Sequence, residues 1–560
     1  MLRFLQLNRN VRSIRRYRQI ISVLAGYGLG HLFEHLNLNQ VAAVRRILRK
    51  SAPKRAELSA PQRLRLALEE LGPTFIKLGQ LLSTRADIVP APFIEELSLL
   101  QDSVPSIPFA DIKAQIEGEL GVPVEARFAW LDPQALAAAS IAQVHRARLL
   151  TGEDVAVKVR RPGVTEQVET DVDILMGLAL LLERHLPSSE LYDPVAVVRE
   201  FACTIRREMD FAREGRSMDR VRDNFKEDPG LYFPRVHWPA TAKGVLTCEF
   251  VSGVKVNDLA GIEAAGLDRR EIAHRGADAF LKMVLEHGFF HADPHPGNVL
   301  IQPGNVICLI DFGMMGRLDP ALKGYLTELL MAVIKKDVNL LADTIIGSGD
   351  APDTINVASL KKGLADFIDG YYETPLKEIE VGRMLVEFID LVATHRIKFP
   401  PDFTLLVKVL VVVEGMGRVL DPQFDMAGRL RPFLERALWE QRSPLKRFKE
   451  LEEGADAYFA LAKSLPGDLK NLLNKINRNK FRIDLEHRGL ERFSKEMDRS
   501  ANRLSLSMII VALLIGASIA SQTERGPEIL GLPALAFLGY AIAAAFGVWW
   551  TIAVLRSGRL

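Results

Sequence analysis

The sequence predicts an α+β fold, preceded by a helical extension and followed by two membrane helices. Three observations carry this expectation. Short runs of β character at 127–130, 141–149 and 154–160 are separated by Asp-Pro and Thr-Gly turn signals, while helical periodicity dominates 320–440. Between these regions, the apolar runs 298–301 and 306–310 flank a Pro-Gly-Asn turn and read as a hairpin. Near the end, 504–520 and 529–555 contain no charged residue, about the length that spans a bilayer.

A chain of 560 residues exceeds one compact core, so two or three units are expected. Its net charge of +2 hides an asymmetry. Through Arg65 there are fourteen Lys and Arg against Glu34 and Glu57, a local +12 that leaves −10 for the remainder. A basic end on an acidic body favours an anionic surface as partner. It lacks the aromatic interleaving of a nucleic-acid binder, so lipid headgroups are the expected partner and nucleic acid is not. The partly apolar stretch 20–33 is interrupted by glycines, His31 and Glu34, and no small-residue cleavage site follows. It reads as an amphipathic surface helix rather than a signal peptide. Cys203, Cys248 and Cys308 are scattered and odd in number, which argues for buried thiols in a reducing compartment rather than disulfides or zinc.

In the C-terminal pair, Gly539, Ala543 and Gly547 fall on one helical face, with Gly516 and Ala520 as a matching face. Trp549 and Trp550 suit a membrane interface. Arg488, Arg492, Lys495, Arg499 and Arg503 precede the pair, and Arg556 and Arg559 follow it. The positive-inside rule then predicts a multi-pass protein with both ends, and so its body, on the cytoplasmic side and the hairpin tip outside.

The densest chemistry lies at 291–313, HADPHPGNVLIQPGNVICLIDFG, which sets Asp293, Asn298 and Asp311 around the hairpin. Protein kinases use such a set: an Asp beside the attacking oxygen, and an Asn and a second Asp on Mg²⁺. A bilobal, protein kinase-like arrangement follows. Upstream, Val155-Ala156-Val157-Lys158-Val159 alternates so that Lys158 faces away from its neighbours. Ala137, Ala138, Ala139, Ser140 and Gln143 lie where a kinase covers the phosphates with glycines, and alanine stiffens such a loop. Lys158 needs a carboxylate, and Glu208, Asp210 and Glu214 are the candidates, on one expected helix. Residues 246–251, followed by Ser252-Gly253, suit the hinge that binds adenine.

These segments together resemble the UbiB/AarF family of atypical, kinase-like proteins. The likeness is carried by Lys77-Leu78-Gly79-Gln80, the Ala-rich AAASIAQVH at 137–145, Glu208-x-Asp210 with Glu214, HADPHPGN at 291–298 and Asp-Phe-Gly at 311–313. It covers roughly 65–430, and the paired C-terminal helices extend it. The resemblance implies that Lys158 contacts the phosphates of ATP and pairs with Glu214, that Asn298 and Asp311 hold Mg²⁺, and that Asp293 is catalytic. It also implies that Lys77, with Gln80 nearby, reaches into the site to meet Glu208 and Asp210, occupying the space of a protein substrate. The family is associated with ubiquinone biosynthesis, ATP hydrolysis and membrane lipids.

Past Gly313 there is no Ala-Pro-Glu and no long activation segment, and Ala292 stands where His-Arg-Asp has its Arg. An ordinary signalling kinase is therefore disfavoured. The resulting expectation is an ATPase or atypical kinase anchored in the inner membrane, acting beside polyprenylated phenol or quinone precursors, or their biosynthetic enzymes, and forming a homodimer. The alternatives are a small-molecule or lipid kinase and a non-catalytic ATP-sensing scaffold. The expected divisions are a basic helical region at 1–64, the extension at 65–124, an N-lobe at 125–255, a C-lobe at 256–440, a charged linker at 441–503 and a transmembrane hairpin at 504–556.

Overall fold

Side-chain alternation decides how the first sheet is layered. The computed structural model describes residues 11–29, 58–100 apart from 84 and 86–88, 104–185, 193–347, 355–371, 379–442 apart from 396 and 398, 490–522, and 527–556 apart from 531. Within it, β1 (Phe128–Ala138), β2 (Ala142–Leu149) and β3 (Asp154–Arg160) run antiparallel. After the short β4 (Leu231–Tyr232), β5 (Val245–Glu249) joins β3 to complete a four-stranded sheet. Val155, Val157 and Val159 are fully buried on one face, against Ile112 and Ile116 of the helix Phe109–Leu120. Period-two geometry then places Lys158 on the other face.

The hairpin forms from β8 (Val299–Gln302) and β9 (Val306–Leu309), with Val299 opposite Leu309. It follows the short strands β6 (Val254–Lys255) and β7 (Phe289–His291). Its turn needs positive φ at two positions, met by Gly304 and by Asn305 at 59°, one of the side chains that tolerate that region. The order of this second sheet is β4-β9-β8-β6, and β7 pairs separately with β10 (Met315–Arg317).

Helices Arg269–Leu281, Pro320–Ile334, Val381–Thr394, Pro401–Leu420 and Met426–Arg442 close the second lobe around one core containing Phe280, Phe388, Phe403 and Leu434. Helix Pro401–Leu420 packs on Arg269–Leu281 and Val381–Thr394 and also meets β10, which brings it beside the hairpin strands.

The extension has its own small core. Ile20, Val23 and Tyr27 pack with Leu68, Leu71, Phe75 and Ile76. Arg16 donates to Asp171 at 2.7 Å and 2.8 Å and to the Leu71 carbonyl at 2.8 Å. The expected surface-lying amphipathic helix is thus a packed one, Val11–Gly26, whose apolar face is covered by protein. Residues 30–33 of that stretch lie outside the described residues, as do 443–489 of the expected linker.

The chain divides into two units, Met1–Glu450 and Leu451–Leu560. In the second, helices Leu490–Ala520 and Ala534–Arg556 pack on each other, and a Cβ on Gly539 would sit 2.8 Å from that of Ala517. The expectation of two transmembrane helices, and with it a multi-pass location in the inner membrane, is corrected here. Among the described residues no helix is long and apolar enough to cross a membrane. The first helix carries Glu491, Arg492, Lys495, Glu496, Asp498, Arg499 and Arg503 in its N-terminal part. Its uncharged run rises only about 26 Å, against a hydrocarbon core of ~30 Å.

Candidate active site

Three distant segments meet at Lys158. Its Nζ lies 2.8 Å and 2.9 Å from the two oxygens of Glu214 and 3.4 Å from Asp311 Oδ2. The Glu214 side chain is 4 % exposed, Lys158 19 % and Asp311 40 %, so the cluster opens to solvent on the Asp311 side. Burial raises Glu214 to about 7 in spite of the pull of Lys158. Burial also disfavours the Lys158 ammonium, but Asp311 and Glu214 together hold its pKa above the usual lysine value. Asp311 is held well below the usual carboxylate range: Lys158 and the Gly313 N–H, which donates to Oδ1 at 2.8 Å, outweigh its burial. Asp311 is therefore the ionised carboxylate of the cleft.

The two glutamates do not share a helix, contrary to expectation. Helix Pro194–Glu208 stops, and Asp210 caps a new helix, Phe211–Asn224, by accepting from the Arg213 N–H at 3.2 Å. Asp210 is thus occupied as a cap. Glu208 instead forms an ion pair with Lys77 of the helix Pro73–Leu82. Gln80, on the same helix, donates to the Leu100 carbonyl at 3.2 Å. Gly313 lies at the junction of these groups. A Cβ there would stand 3.2 Å from Asp311 Oδ1 and in ordinary van der Waals contact with Glu214 and Glu208, at 3.9 Å and 4.0 Å.

The hairpin delivers the remaining groups. His291 is 2 % exposed, and its Nε2 lies 2.5 Å from the Asp311 carbonyl oxygen. Its Nδ1 accepts from the Asp293 N–H at 3.1 Å. An acceptor at Nδ1 and a carbonyl at Nε2 fix one neutral tautomer, with the proton on Nε2. Burial, which lowers the pKa of His291, keeps it neutral. One imidazole thereby ties the backbone of Asp293 to that of Asp311. Asp293 is exposed in the cleft, and Asn298 closes the short turn Pro296–Asn298 that leads into β8.

The Ala-rich segment is a tight tip between β1 and β2. Ala137 pairs with Val144 and Ala138 with Gln143, and the Ala139 N–H donates to the Ala142 carbonyl at 2.8 Å. The Gln143 side chain faces inward, where it binds the Ile107 N–H and carbonyl and meets His145 at 2.9 Å. Ser140 is fully buried and its hydroxyl has no hydrogen-bond partner among the described residues. Sequence reading missed Arg161, which donates to the Ala139 and Pro105 carbonyls at 2.9 Å and 2.8 Å and so clamps this tip. It also missed His291 as a positioning group. The signal for His291 was its place two residues before Asp293, whereas Arg161 gave none.

These residues fit a nucleotide triphosphate and Mg²⁺. The ionised, half-open Asp311 and the neighbouring Asn298 offer hard oxygen ligands, and the orphaned Ser140 hydroxyl marks an unmet polar group in the loop segment. Among the described residues no cluster of three or more His, Cys, Asp or Glu forms a metal cage. Mg²⁺ characteristically takes one or two protein ligands and completes its shell with phosphate and water oxygens.

Comparison with known proteins agrees with this geometry. Residues 99–345 match the ABC1 atypical kinase-like domain, 364–425 the UbiB helical domain and 488–556 the ABC1/UbiB kinase-like C-terminal domain. A protein of Marinobacter nauticus named "Probable protein kinase UbiB" is 34% identical over 90% of this chain and 91% of its own length. One of the same name from Xanthomonas campestris pv. campestris is 32% identical, covering 96% of this chain and all of the relative. An uncharacterized protein from the hydrogenase 1 5' region of Clostridium pasteurianum is 32% identical over 98% of this chain and all of its own.

Proposed function

The chain belongs to the ABC1/UbiB family of atypical kinase-like proteins, and from that premise we propose that it binds MgATP between its lobes and turns it over in support of polyprenyl quinone biosynthesis. The observation that carries the reading is the convergence of Lys158, Glu214 and Asp311 from β3, a helix and the hairpin.

Each group has a task that its surroundings equip it for. Lys158, held charged by two carboxylates, offers donors to phosphate oxygens, while buried Glu214 fixes its direction. Asn298 and Asp311 would hold Mg²⁺, which when bound supplies positive charge to the phosphate oxygens. Asp293, exposed in the cleft and anchored through the His291 ring, accepts the proton of an attacking hydroxyl or water. The bond from the terminal phosphorus to the leaving ADP oxygen breaks as the bond to the attacking oxygen forms.

Two features favour a small or lipid-borne acceptor over a peptide. Lys77 and its helix are tied into the cleft through Glu208, and β10 leads directly into the helix Pro320–Ile334 without a docking platform. The phenolic head of a prenylated precursor is the acceptor, or the group made accessible by turnover, that the family premise favours. The basic N-terminal end favours an anionic lipid surface as a partner. The test is ATP turnover by the purified chain, with and without a phenolic quinone mimic and anionic vesicles. Turnover that is stimulated by them and abolished by Asp293→Asn supports the reading. Full cellular function of Asp293→Asn with MgATP still bound would replace it with an ATP-sensing scaffold.

A further inference from the structure

A cavity of about 570 Å³ opens in the second lobe, and none of the residues assigned above to nucleotide or Mg²⁺ lines it. Its walls come from residues 228–231, from the helix Arg269–Leu281 with its continuation, and from the helix Met426–Arg442. Both helices are irregular where they line it. After Leu281 the chain makes one turn of π-helix, Lys282–Glu286, a departure that recurs at functional sites. Pro432 stands inside Met426–Arg442 and has no N–H, so the Gly428 carbonyl loses its intrahelical donor.

The lining is cationic. Arg275, Lys282, Arg429 and Arg436 face Asp228 and Asp278, a surplus of two positive charges. Glu271 and Glu286, which pair with Arg275 and Arg436, are not among the lining residues. The four cations differ in how much they have left to give. Arg275 is committed: it donates to Glu271 at 2.7 Å and to the Gly304 and Asn305 carbonyls at 3.0 Å and 3.1 Å. Arg429 meets both oxygens of Asp278 through the single nitrogen Nη1, at 2.8 Å and 2.7 Å. A fork-to-fork pair would use two nitrogens; here the edge formed by Nε and Nη2 has no acceptor among the described residues. Arg436 is held loosely, 3.3 Å from Glu286 and 3.5 Å from the Pro432 carbonyl, with its guanidinium over the Phe433 ring. Lys282 donates to Asp228 at 2.7 Å and has two further N–H groups. Arg429 and Arg436 are seven residues apart and so lie on one helix face.

We propose that this cavity binds an organic phosphate, with the free edge of Arg429 engaging two phosphate oxygens and Arg436 and Lys282 completing the set. A planar, doubly donating guanidinium edge matches phosphate geometry. A phosphate monoester carries close to two negative charges at neutral pH, which balances the lining. The cavity is larger than a bare phosphate needs, and Leu231, Pro432 and Phe433 offer an apolar wall to the group that bears it. A soluble ester and a lipid headgroup share this chemistry.

Phenylglyoxal labelling of arginines in the full chain, read by mass spectrometry, tests the site directly. Phenyl phosphate is expected to slow labelling of Arg429 and Arg436 about fivefold and to leave exposed Arg383 unchanged. Benzenesulfonate, with the same ring and one negative charge, is expected to protect less. Vesicles of phosphatidylcholine with phosphatidic acid separate the two sources: protection by phenyl phosphate supports the site with a soluble ester, and protection by the vesicles alone supports it with a lipid headgroup. Equal labelling of both arginines with and without either probe overturns the proposal. In Arg429→Ala, the probe concentration that half-protects Arg436 is expected to rise about tenfold, and an unchanged midpoint overturns the proposal. Arg429→Lys keeps a cation for Asp278 but removes the free N–H edge. The same shift is expected of it, so it decides the matter should Arg429→Ala not fold.

Discussion

Lys77 and Glu208 form an ion pair in which the side chains are only 11 % and 12 % exposed, joining the helical extension to the helix end beside the Lys158 cluster. Lys77 also helps depress the pKa of Asp311. The extension is therefore part of the electrostatics of the site as well as a cover over it.

Removing Lys77 should loosen that cover. Lys77→Ala removes the partner of Glu208 and withdraws one cation that acts on Asp311. We expect ATP turnover or self-phosphorylation to rise several-fold, measured by phosphate release and by radiolabel on the chain. Unchanged rates would remove the gating role of this pair.

Glu214 gives the fold a pH dependence whose sign can be stated. Burial raises its folded pKa to about 7 from 4.5, so the folded state binds this proton more tightly than the unfolded state. Its contribution is fully present below pH 4.5 and is lost as pH rises through about 7, an effect on the order of 3 kcal/mol. Asp311 acts with the opposite sign but below its ordinary 3.8, outside this window. Urea midpoints at pH 4.5 and 7.5 should fall more for the wild type than for Glu214→Gln.

Gly313 is constrained by space. Gly313→Ala places a methyl 3.2 Å from Asp311 Oδ1, on the side where the carboxylate accepts from the Gly313 N–H. Turnover should fall roughly tenfold, with a matching rise in the Mg²⁺ concentration required, while thermal stability changes by less than ~1 kcal/mol.

Arg16 tests the packing of the extension. Asp171 is fully buried and Arg16 is its charged partner at 2.7 Å. Arg16→Ala leaves that carboxylate uncompensated, at a cost of about 3 kcal/mol. Limited proteolysis should then cut near the helix Val11–Gly26 well before the kinase-like lobes.

The hairpin, the β3 alternation and the three acidic or amide groups around 291–313 were legible because each depends on local rules. Period-two patterning, a turn that needs positive φ at Gly304 and Asn305, and fixed spacing from Asp293 to Asp311 are properties of neighbouring residues. The family was legible for the same reason, since its motifs are short and contiguous. Tertiary structure alone separated Glu208 from Glu214 by a capped helix break, because Asp210 serves its own following turn rather than Lys77. It alone turned the N-terminal amphipathic helix inward, where Ile20 and Val23 find partners from residues 67–76. Charge-free length at the C-terminus suggested spanning helices, but among the described residues no helix is long and apolar enough to cross a membrane, and Gly539 packs on Ala517. Arg161 and His291 acquired meaning only from what lies across from them. Sequence determines which groups a chain carries and how its near neighbours point; which distant charges are left paired or unpaired is decided when the segments meet.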